Sequence, residues 1–283
     1  MKTSLKIGAG LVSVLPSLCF AAGFDCLIEP SQVVEVRSAA DGIIAAVHAR
    51  RGDTVRKGQP LVELQSSAER ATVDAARFRA AMDGQIAAAR NRLEYADLKL
   101  KRLTEMQKEN FASAQARDEA DAERRLAESE LAAAIESRGL ARIEHKRAVE
   151  ILALRTTHAP FNGVVLDRML NPGDLAEAGS GRKPVLRVAQ IDPLQVDVVM
   201  PASLHAALKP GTRALVTPRG AQGALTATVS VVDRVIDAAS GTFVVRLELP
   251  NPKSAVLGGV RCTIEIPGVS AAAAPRGSVK TVP

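Results

Sequence analysis

The chain has 283 residues, enough for two domains, yet aromatic residues make up only 2% of it and tryptophan is absent. A wide enzyme-like core needs more bulky side chains, so the composition favours thin, elongated domains. The net charge of +6 at neutral pH is too small to indicate nucleic-acid binding.

Residues 1–23 predict a secretory signal peptide. Lys2 and Lys6 make a positive start, residues 7–20 are apolar, and three small residues follow. The apolar stretch falls short of the roughly 20 residues of a membrane-spanning helix, and it contains Pro16. We therefore expect cleavage, export from the cytoplasm, and a mature chain that has lost two positive charges.

The mature chain would keep two cysteines, Cys26 and Cys262, which lie near its opposite ends. An oxidising compartment permits them to form a disulfide, provided that both ends of the chain contribute strands to one domain. Two unrelated thiols are the alternative, and the sequence leaves both possibilities open.

An internal repeat follows. Residues 42–64 read GIIAAVHARRGDTVRKGQPLVEL, and residues 163–188 read GVVLDRMLNPGDLAEAGSGRKPVLRV. In both copies a glycine opens a β-branched run, Gly-Asp follows ten residues later, and another glycine six residues after that. The matching residues are Gly42, Gly52, Asp53 and Gly58 in the first copy, and Gly163, Gly173, Asp174 and Gly179 in the second. Glycines at this spacing predict the turns of small β-hairpins, and two such units can cover each other's apolar faces.

Residues 65–155, between the two copies, contain no proline and are rich in Ala, Arg, Glu and Leu, which favour helices. Apolar residues recur every seven positions, as in a coiled-coil seam. They are Ile86, Leu93 and Leu100, interleaved with Met82, Ala89, Ala96 and Leu103, and then Ala120, Ala127, Ala134, Ala141 and Ala148. A break at residues 110–113 predicts two antiparallel arms, each about 60 Å long.

Residues 191–267 contain several short β-forming runs separated by Pro-Gly, Gly-Thr and Asn-Pro turns, which predict a small antiparallel barrel. The tail, 268–283, has the composition of a disordered segment. The sequence has neither a phosphate-binding loop nor a nucleophile elbow, and its histidines lack metal-ligand spacing. We therefore expect no enzyme activity, no cofactor and no metal.

This order of parts resembles the membrane fusion proteins, the HlyD-type periplasmic adaptors of tripartite efflux and secretion systems. Three stretches carry the resemblance: the first repeat at 42–64, THAPFNGVV at 157–165, and LELPNPKSAVLGGVRCTIEIP at 247–267. It implies an elongated α+β architecture in which a long antiparallel coiled-coil hairpin is inserted into a lipoyl-like (barrel-sandwich hybrid) domain and a β-barrel follows. The implied parts are a strand segment at 24–38, lipoyl halves at 39–64 and 156–190, the hairpin at 65–155, and the barrel at 191–267.

The resemblance extends to the hairpin turn, where adaptors that engage a TolC-type channel share an arginine, a leucine four residues later and a serine seven after that. Arg102, Met106 and Ser113 occupy these positions, and Asp118 follows as in the family. Met106 replaces the leucine, and this departure bears on the strength of docking. The alternative is that Arg102 is solvated, Met106 is a core residue and Ser113 is only a helix cap.

The implied function is to link an inner-membrane transporter, of the RND or ABC type, to a TolC-type outer-membrane channel. The family's usual ring of six copies implies a homo-oligomer. A second hypothesis is a periplasmic coiled-coil scaffold or binding module without a channel partner. A lipoyl carrier is disfavoured, because Lys57 lies away from the junction of the two halves and an exported chain leaves the ligating enzymes behind.

Overall fold

A computed structural model describes residues 23–179, 181–220 and 223–269. The predicted signal peptide, apart from Gly23, and the tail from residue 270 lie outside the described residues. The chain divides into two compact units, residues 34–188 and the residues on either side of them, and the division falls within two strands. Within the described ranges, no helix combines the length and the apolar character needed to cross a membrane.

The elements follow one another in three groups. Strands β1 to β4 come first, at Phe24–Val36, Gly42–Val47, Thr54–Val55 and Pro60–Leu64. Three helices then follow: α1 at Ser67–Ala81, α2 at Gly84–Lys108 and α3 at Ala114–Ala153. Strands β5 to β12 are Thr156–His158, Gly163–Arg168, Leu175–Ala176, Leu186–Pro201, Arg213–Pro218, Leu225–Val232, Thr242–Leu249 and Val260–Glu265, with a 3-10 helix at Ala202–Ala207.

In the unit of residues 34–188, the two copies of the repeat pair crosswise. The Ile44 N–H donates to the Asp174 carbonyl at 2.9 Å, and the Gly173 N–H donates to the Ile44 carbonyl at 2.9 Å. The equivalent residues repeat the pattern, because Val165 N–H donates to Asp53 at 3.0 Å and Gly52 N–H donates to Val165 at 2.8 Å. Each Gly-Asp turn is thus bound to the opening strand of the other copy.

The Gly-Asp pairs form the same turn in both copies. Gly52 and Gly173 have φ angles of 91° and 94°, in the left-handed region that glycine adopts without steric cost. The Asp53 carboxylate accepts a hydrogen bond from the Arg50 N–H at 2.7 Å, and Asp174 accepts one from Asn171 at 2.8 Å. These two constraints give a physical reason for the recurrence of Gly-Asp at this spacing.

The remaining repeat glycines divide by role. Gly58 and Gly179 also have positive φ angles, of 80° and 110°. Gly42 and Gly163 instead open strands β2 and β6, which differs from the turn role predicted for them. The strands of both copies enclose one core, whose most buried members include Ile44, Val55, Leu61, Val165, Leu186 and Val188.

The first arm of the predicted hairpin is two helices, because α1 ends before Met82 and α2 begins at Gly84. The prediction of one continuous first arm was therefore wrong. Asp83 favours helix starts over helix interiors and glycine is a poor helix former, so the Asp83-Gly84 step is the local cause of the break. Met82 has an extended backbone (ψ 128°) and is 57% exposed, so it does not contribute to the predicted seam.

Both α1 and α2 pack against α3, and α2 and α3 meet along alanines. Ala96, Ala120 and Ala127 are almost fully buried, and small side chains at such positions let helix backbones approach closely. Three ion pairs cross between α2 and α3: Arg92 with Glu130 and Lys99 with Glu123, each at 2.6 Å, and Asp97 with Arg124 at 3.9 Å. From Arg92 to Lys99 the chain advances seven residues along α2, while their partners go back seven residues along α3, from Glu130 to Glu123. The two helices are therefore antiparallel.

The second unit is a ring of six strands. Its hydrogen-bonded order is β1, β12, β9, β10, β11 and β8, and β1 also pairs with β8, which closes the ring. Alternate residues of each strand point inward to a core whose most buried members include Ile28, Val196, Val198, Met200, Val216, Val245 and Ile264. A disulfide joins Cys26 on β1 to Cys262 on β12, which are register partners in adjacent strands.

Removing this disulfide should destabilise the β-barrel. The two cysteines are 236 residues apart in sequence, for which the chain-entropy model gives a ceiling of roughly 5 kcal/mol. We expect a Cys26→Ala/Cys262→Ala variant to unfold at a lower urea concentration than the oxidised wild type. Reductant should lower the unfolding midpoint of the wild type to that of the variant and leave the midpoint of the variant unchanged. Equal midpoints of the two proteins without reductant would contradict the prediction.

Candidate functional site at the turn between α2 and α3

The chain reverses direction within five residues, 109–113, between the end of α2 and the start of α3. Asn110 adopts a left-handed conformation, with φ of 65°, which asparagine tolerates better than most residues. The Asn110 N–H donates to the Gln107 carbonyl at 3.0 Å, and the Phe111 N–H donates to the Met106 carbonyl at 2.8 Å. The backbone itself therefore satisfies the last carbonyls of α2 and defines the shape of the turn.

Ser113 is the N-cap of α3. Its backbone is extended, and its Oγ accepts a hydrogen bond from the Ala116 N–H at 3.2 Å. This bond satisfies one of the backbone donors that a helix start leaves free. Ser113 therefore has the cap role that was considered for it, and the residue is also exposed.

Two large apolar side chains are exposed at the turn. Phe111 is 74% exposed and Met106 is 39% exposed. The hydrogen bond from the Phe111 N–H to the Met106 carbonyl holds the backbones of the two residues close together. Met106 is thus only partly covered by the rest of the described chain. The sequence alone does not predict that Phe111 is exposed, because a single phenylalanine beside a turn is equally compatible with burial.

The charged members of the predicted site lie along the helices on either side of the turn. Arg102 is exposed one helical turn before Met106, and it has no ion-pair partner among the residues described. Asp118 is exposed on α3, where its carboxylate pairs with the neighbouring Arg117 at 2.8 Å. The turn therefore presents apolar groups at its end, with an unneutralised cation behind them.

A second exposed feature is an apolar stripe on α3. Leu126 and Leu140 on α3, and Leu154 directly after it, are 62%, 59% and 48% exposed and recur every fourteen residues, and the exposed Ala133 lies midway between the first two. Because 3.6 residues make one helical turn and each stripe residue on α3 immediately precedes a seam alanine, the stripe lies about 100° around the helix from the alanine seam. We call these four residues the α3 stripe.

On α2, Tyr95 is 64% exposed, and the Lys99–Glu123 and Arg92–Glu130 pairs place it level with residues 126–127 of α3. The pKa of Lys99 is raised by its hydrogen bond to Glu123, and the pKa of Arg92 is raised likewise by Glu130. These ties hold the outer faces of the two helices in a defined register.

Across the described ranges, no group of three or more His, Cys, Asp or Glu side chains is placed to hold a metal ion.

Comparison with known proteins points to one group of relatives. The chain is 26% identical over 242 residues to the multidrug export protein AcrE of Escherichia coli K12, a match that covers 81% of this chain and 59% of AcrE. It is 37% identical over 108 residues to the pyoverdine export membrane fusion protein PvdR of Pseudomonas putida KT2440, covering 35% of this chain and 27% of PvdR. No protein-family model matches the chain.

Among solved structures, MacA from Actinobacillus actinomycetemcomitans aligns with a TM-score of 0.71 at 19% identity, covering 87% of this chain and 77% of MacA. The chain resembles the membrane fusion proteins in sequence and in fold. The chain spans about three fifths of the length of AcrE, at 59%.

Replacing Ser113 tests its cap role separately from any binding role. We expect Ser113→Ala to weaken the start of α3 by about 1 kcal/mol, because the Ala116 N–H loses its acceptor. Hydrogen exchange at the Ala116 amide should then become roughly fivefold faster. Ser113→Asp is the matched control, because its carboxylate can cap the helix; unchanged protection in Ser113→Ala would contradict the assignment.

Proposed function

We propose that this protein is a periplasmic adaptor that links an inner-membrane transporter to an outer-membrane channel of the TolC type. The observation that carries the proposal is the α2–α3 turn, which exposes Phe111 and Met106 at the end of helices inserted between the two copies of a β repeat. The names of AcrE and PvdR, both export proteins, support it.

The turn is suited to an end-on contact with another protein. Burying Phe111 and Met106 would remove their exposed apolar surface from water, which is worth about 25 cal/mol per Å². Arg102 offers a charged fork for carboxylates or carbonyls on the partner. Asp118 lies across the turn on α3 and would complete the polar rim around this apolar centre.

The proposal extends to the domains, to export and to the absence of catalysis. The helices would form a supercoiled hairpin at residues 65–155, the halves at 39–64 and 156–190 a lipoyl-like domain, and the barrel at 191–267 the side that faces the transporter. Export through a cleaved signal peptide would bring the chain to the periplasm. The adaptor would connect and seal the conduit without turning over a substrate.

Photocrosslinking from the turn tests the docking. Probes replacing Arg102, Met106 or Phe111, one at a time, should capture an outer-membrane channel protein in cells, because these side chains are exposed at the turn. A probe at Ala75, exposed on α1, is the control and should capture none. A folded protein that captures no channel from any turn position would favour a periplasmic scaffold without a channel partner.

We also propose that the protein forms a homo-oligomer through the α3 stripe, with six copies in a ring. Leucines at heptad-related spacing are typical of a helix that packs against another helix. No other part of the described chain covers this stripe. Tyr95 lies level with Leu126 on the other helix, so copies standing side by side would bring two apolar faces together. Two different patches in contact make the head-to-tail interface from which rings are built.

The mass of the protein in solution tests this interface. We expect Leu140→Lys to reduce the oligomer to smaller species in light scattering, because a charge would be buried between copies. Ile135→Lys is the matched control, since Ile135 is also exposed but lies about 140° around the helix from Leu140. An oligomer that survives Leu140→Lys unchanged would place the interface elsewhere.

A further inference from the structure

Arg155 occupies the point where the chain returns from the helices to the β strands of the 34–188 unit. It lies between the end of α3 and the start of β5. Its N–H donates to the Leu152 carbonyl at 3.0 Å, and its own carbonyl accepts from the Leu64 N–H at 2.9 Å. The last residue of β4, shortly before α1, is therefore bonded to the second residue after α3.

The Arg155 side chain reaches two further segments. Its Nη2 lies 2.5 Å from Glu69 Oε1, in the first turn of α1, and its Nη1 donates to the Asp41 carbonyl at 2.6 Å, just before β2. The side chains of Arg155 and Glu69 are only 21% and 20% exposed. A guanidinium that is largely removed from water and forks between a carboxylate and a carbonyl holds both partners in defined directions.

The network continues into the second copy of the repeat. The Asp41 carboxylate accepts a hydrogen bond from the Ala178 N–H at 2.6 Å. Asp41 thus contacts Arg155 with its carbonyl and the second copy with its side chain. The guanidinium is therefore tied to both copies of the repeat as well as to α1.

Gly42 makes room for this arrangement. A Cβ atom added at Gly42 would lie 2.9 Å from Arg155 Nη1, closer than real Cβ contacts allow. Gly42 opens a strand and does not have a positive φ angle, so its backbone does not require glycine. An added Cβ atom would therefore require the guanidinium to move from its present position.

The other ion pairs of the helices do not reach the strands. Asp74 and Arg77 pair within α1, while Arg92 and Lys99 pair from α2 to α3. In the part of the chain that the structure describes, the Arg155–Glu69 pair is the one ion pair that joins a helix to the β strands or their links.

We propose that Arg155 is a positioning residue that sets the direction of the helices on the β repeat. The helices are connected to the strands only through residues 65–66 and 154–155, and two such links alone would leave a hinge. The guanidinium closes that hinge by holding the first turn of α1 to the start of β2. This inference rests on the contacts at the junction and holds whether or not the turn docks to a channel.

Distances between two spin labels measure the direction directly. One label replaces Arg51, exposed on a turn of the repeat, and the other replaces Glu109, at the α2–α3 turn. The full chain carries Cys19→Ser, and Cys26 and Cys262 are joined and do not react. We expect the wild type to give a single narrow distance distribution by pulsed electron paramagnetic resonance.

Arg155→Gln should replace the narrow distribution by a broad one, because a neutral amide cannot span both Glu69 and the Asp41 carbonyl. Arg155→Lys, which keeps the charge but only one contact, should give an intermediate width. Arg77→Gln is the matched control: it removes an exposed ion pair within α1 and should leave the distribution unchanged.

Gly42→Ala provides a second variant that keeps Arg155 and displaces its guanidinium, and we expect it to broaden the distribution as well. If Arg155→Gln does not yield folded protein by circular dichroism, Gly42→Ala decides the question. Folded variants that both keep the narrow wild-type distribution would overturn the proposal.

Discussion

The crosswise pairing of the two copies of the repeat is the constraint on which the rest of the structure depends. Each Gly-Asp turn bonds to the opening strand of the other copy, so neither copy has a complete set of backbone partners alone. The core that contains Ile44 and Val165 exists only when both copies are present. The β unit therefore forms by contacts between residues that lie far apart in sequence.

This pairing also explains why a long helical segment can be inserted. The bond between Leu64 N–H and the Arg155 carbonyl shows that the ends of the insertion are neighbours in space. The entropic cost of closing a loop grows only slowly with its length, so the helices can be long without destabilising the strands. The helices pack on each other along the alanine seam, the ion pairs between them define their register, and the β unit provides the anchor at their base.

The sequence predicted the features that depend on local spacing. The repeat, the alanine seam and the turn at residues 110–113 all follow from residues a few positions apart, and the structure contains each of them. The crosswise exchange of turns could not be predicted in the same way, because Gly-Asp constrains a turn but not the strand that it meets. The role of Arg155 was hidden for a similar reason: its partners Glu69 and Asp41 lie about a hundred residues earlier, at 86 and 114 positions.

The break between α1 and α2 was missed although the local sequence contained a signal for it. The Asp83-Gly84 step carried the relevant local information, yet the heptad pattern on both sides of it favoured a single helix. A heptad pattern reports which face is apolar, and that face can continue across two helices that pack on the same partner. Periodicity is therefore weaker evidence for helix continuity than for helix packing.

The side chains at the α2–α3 turn are constrained little by packing within the described chain. Phe111, Met106 and Arg102 contribute little to the packing of the helices, because they are exposed. Substitutions at such positions usually change stability by no more than about 0.5 kcal/mol. The backbone bonds around Asn110 and the Ser113 cap maintain the shape of the turn without them. Substitutions at Met106 should therefore change the surface that the turn exposes much more than they change the fold.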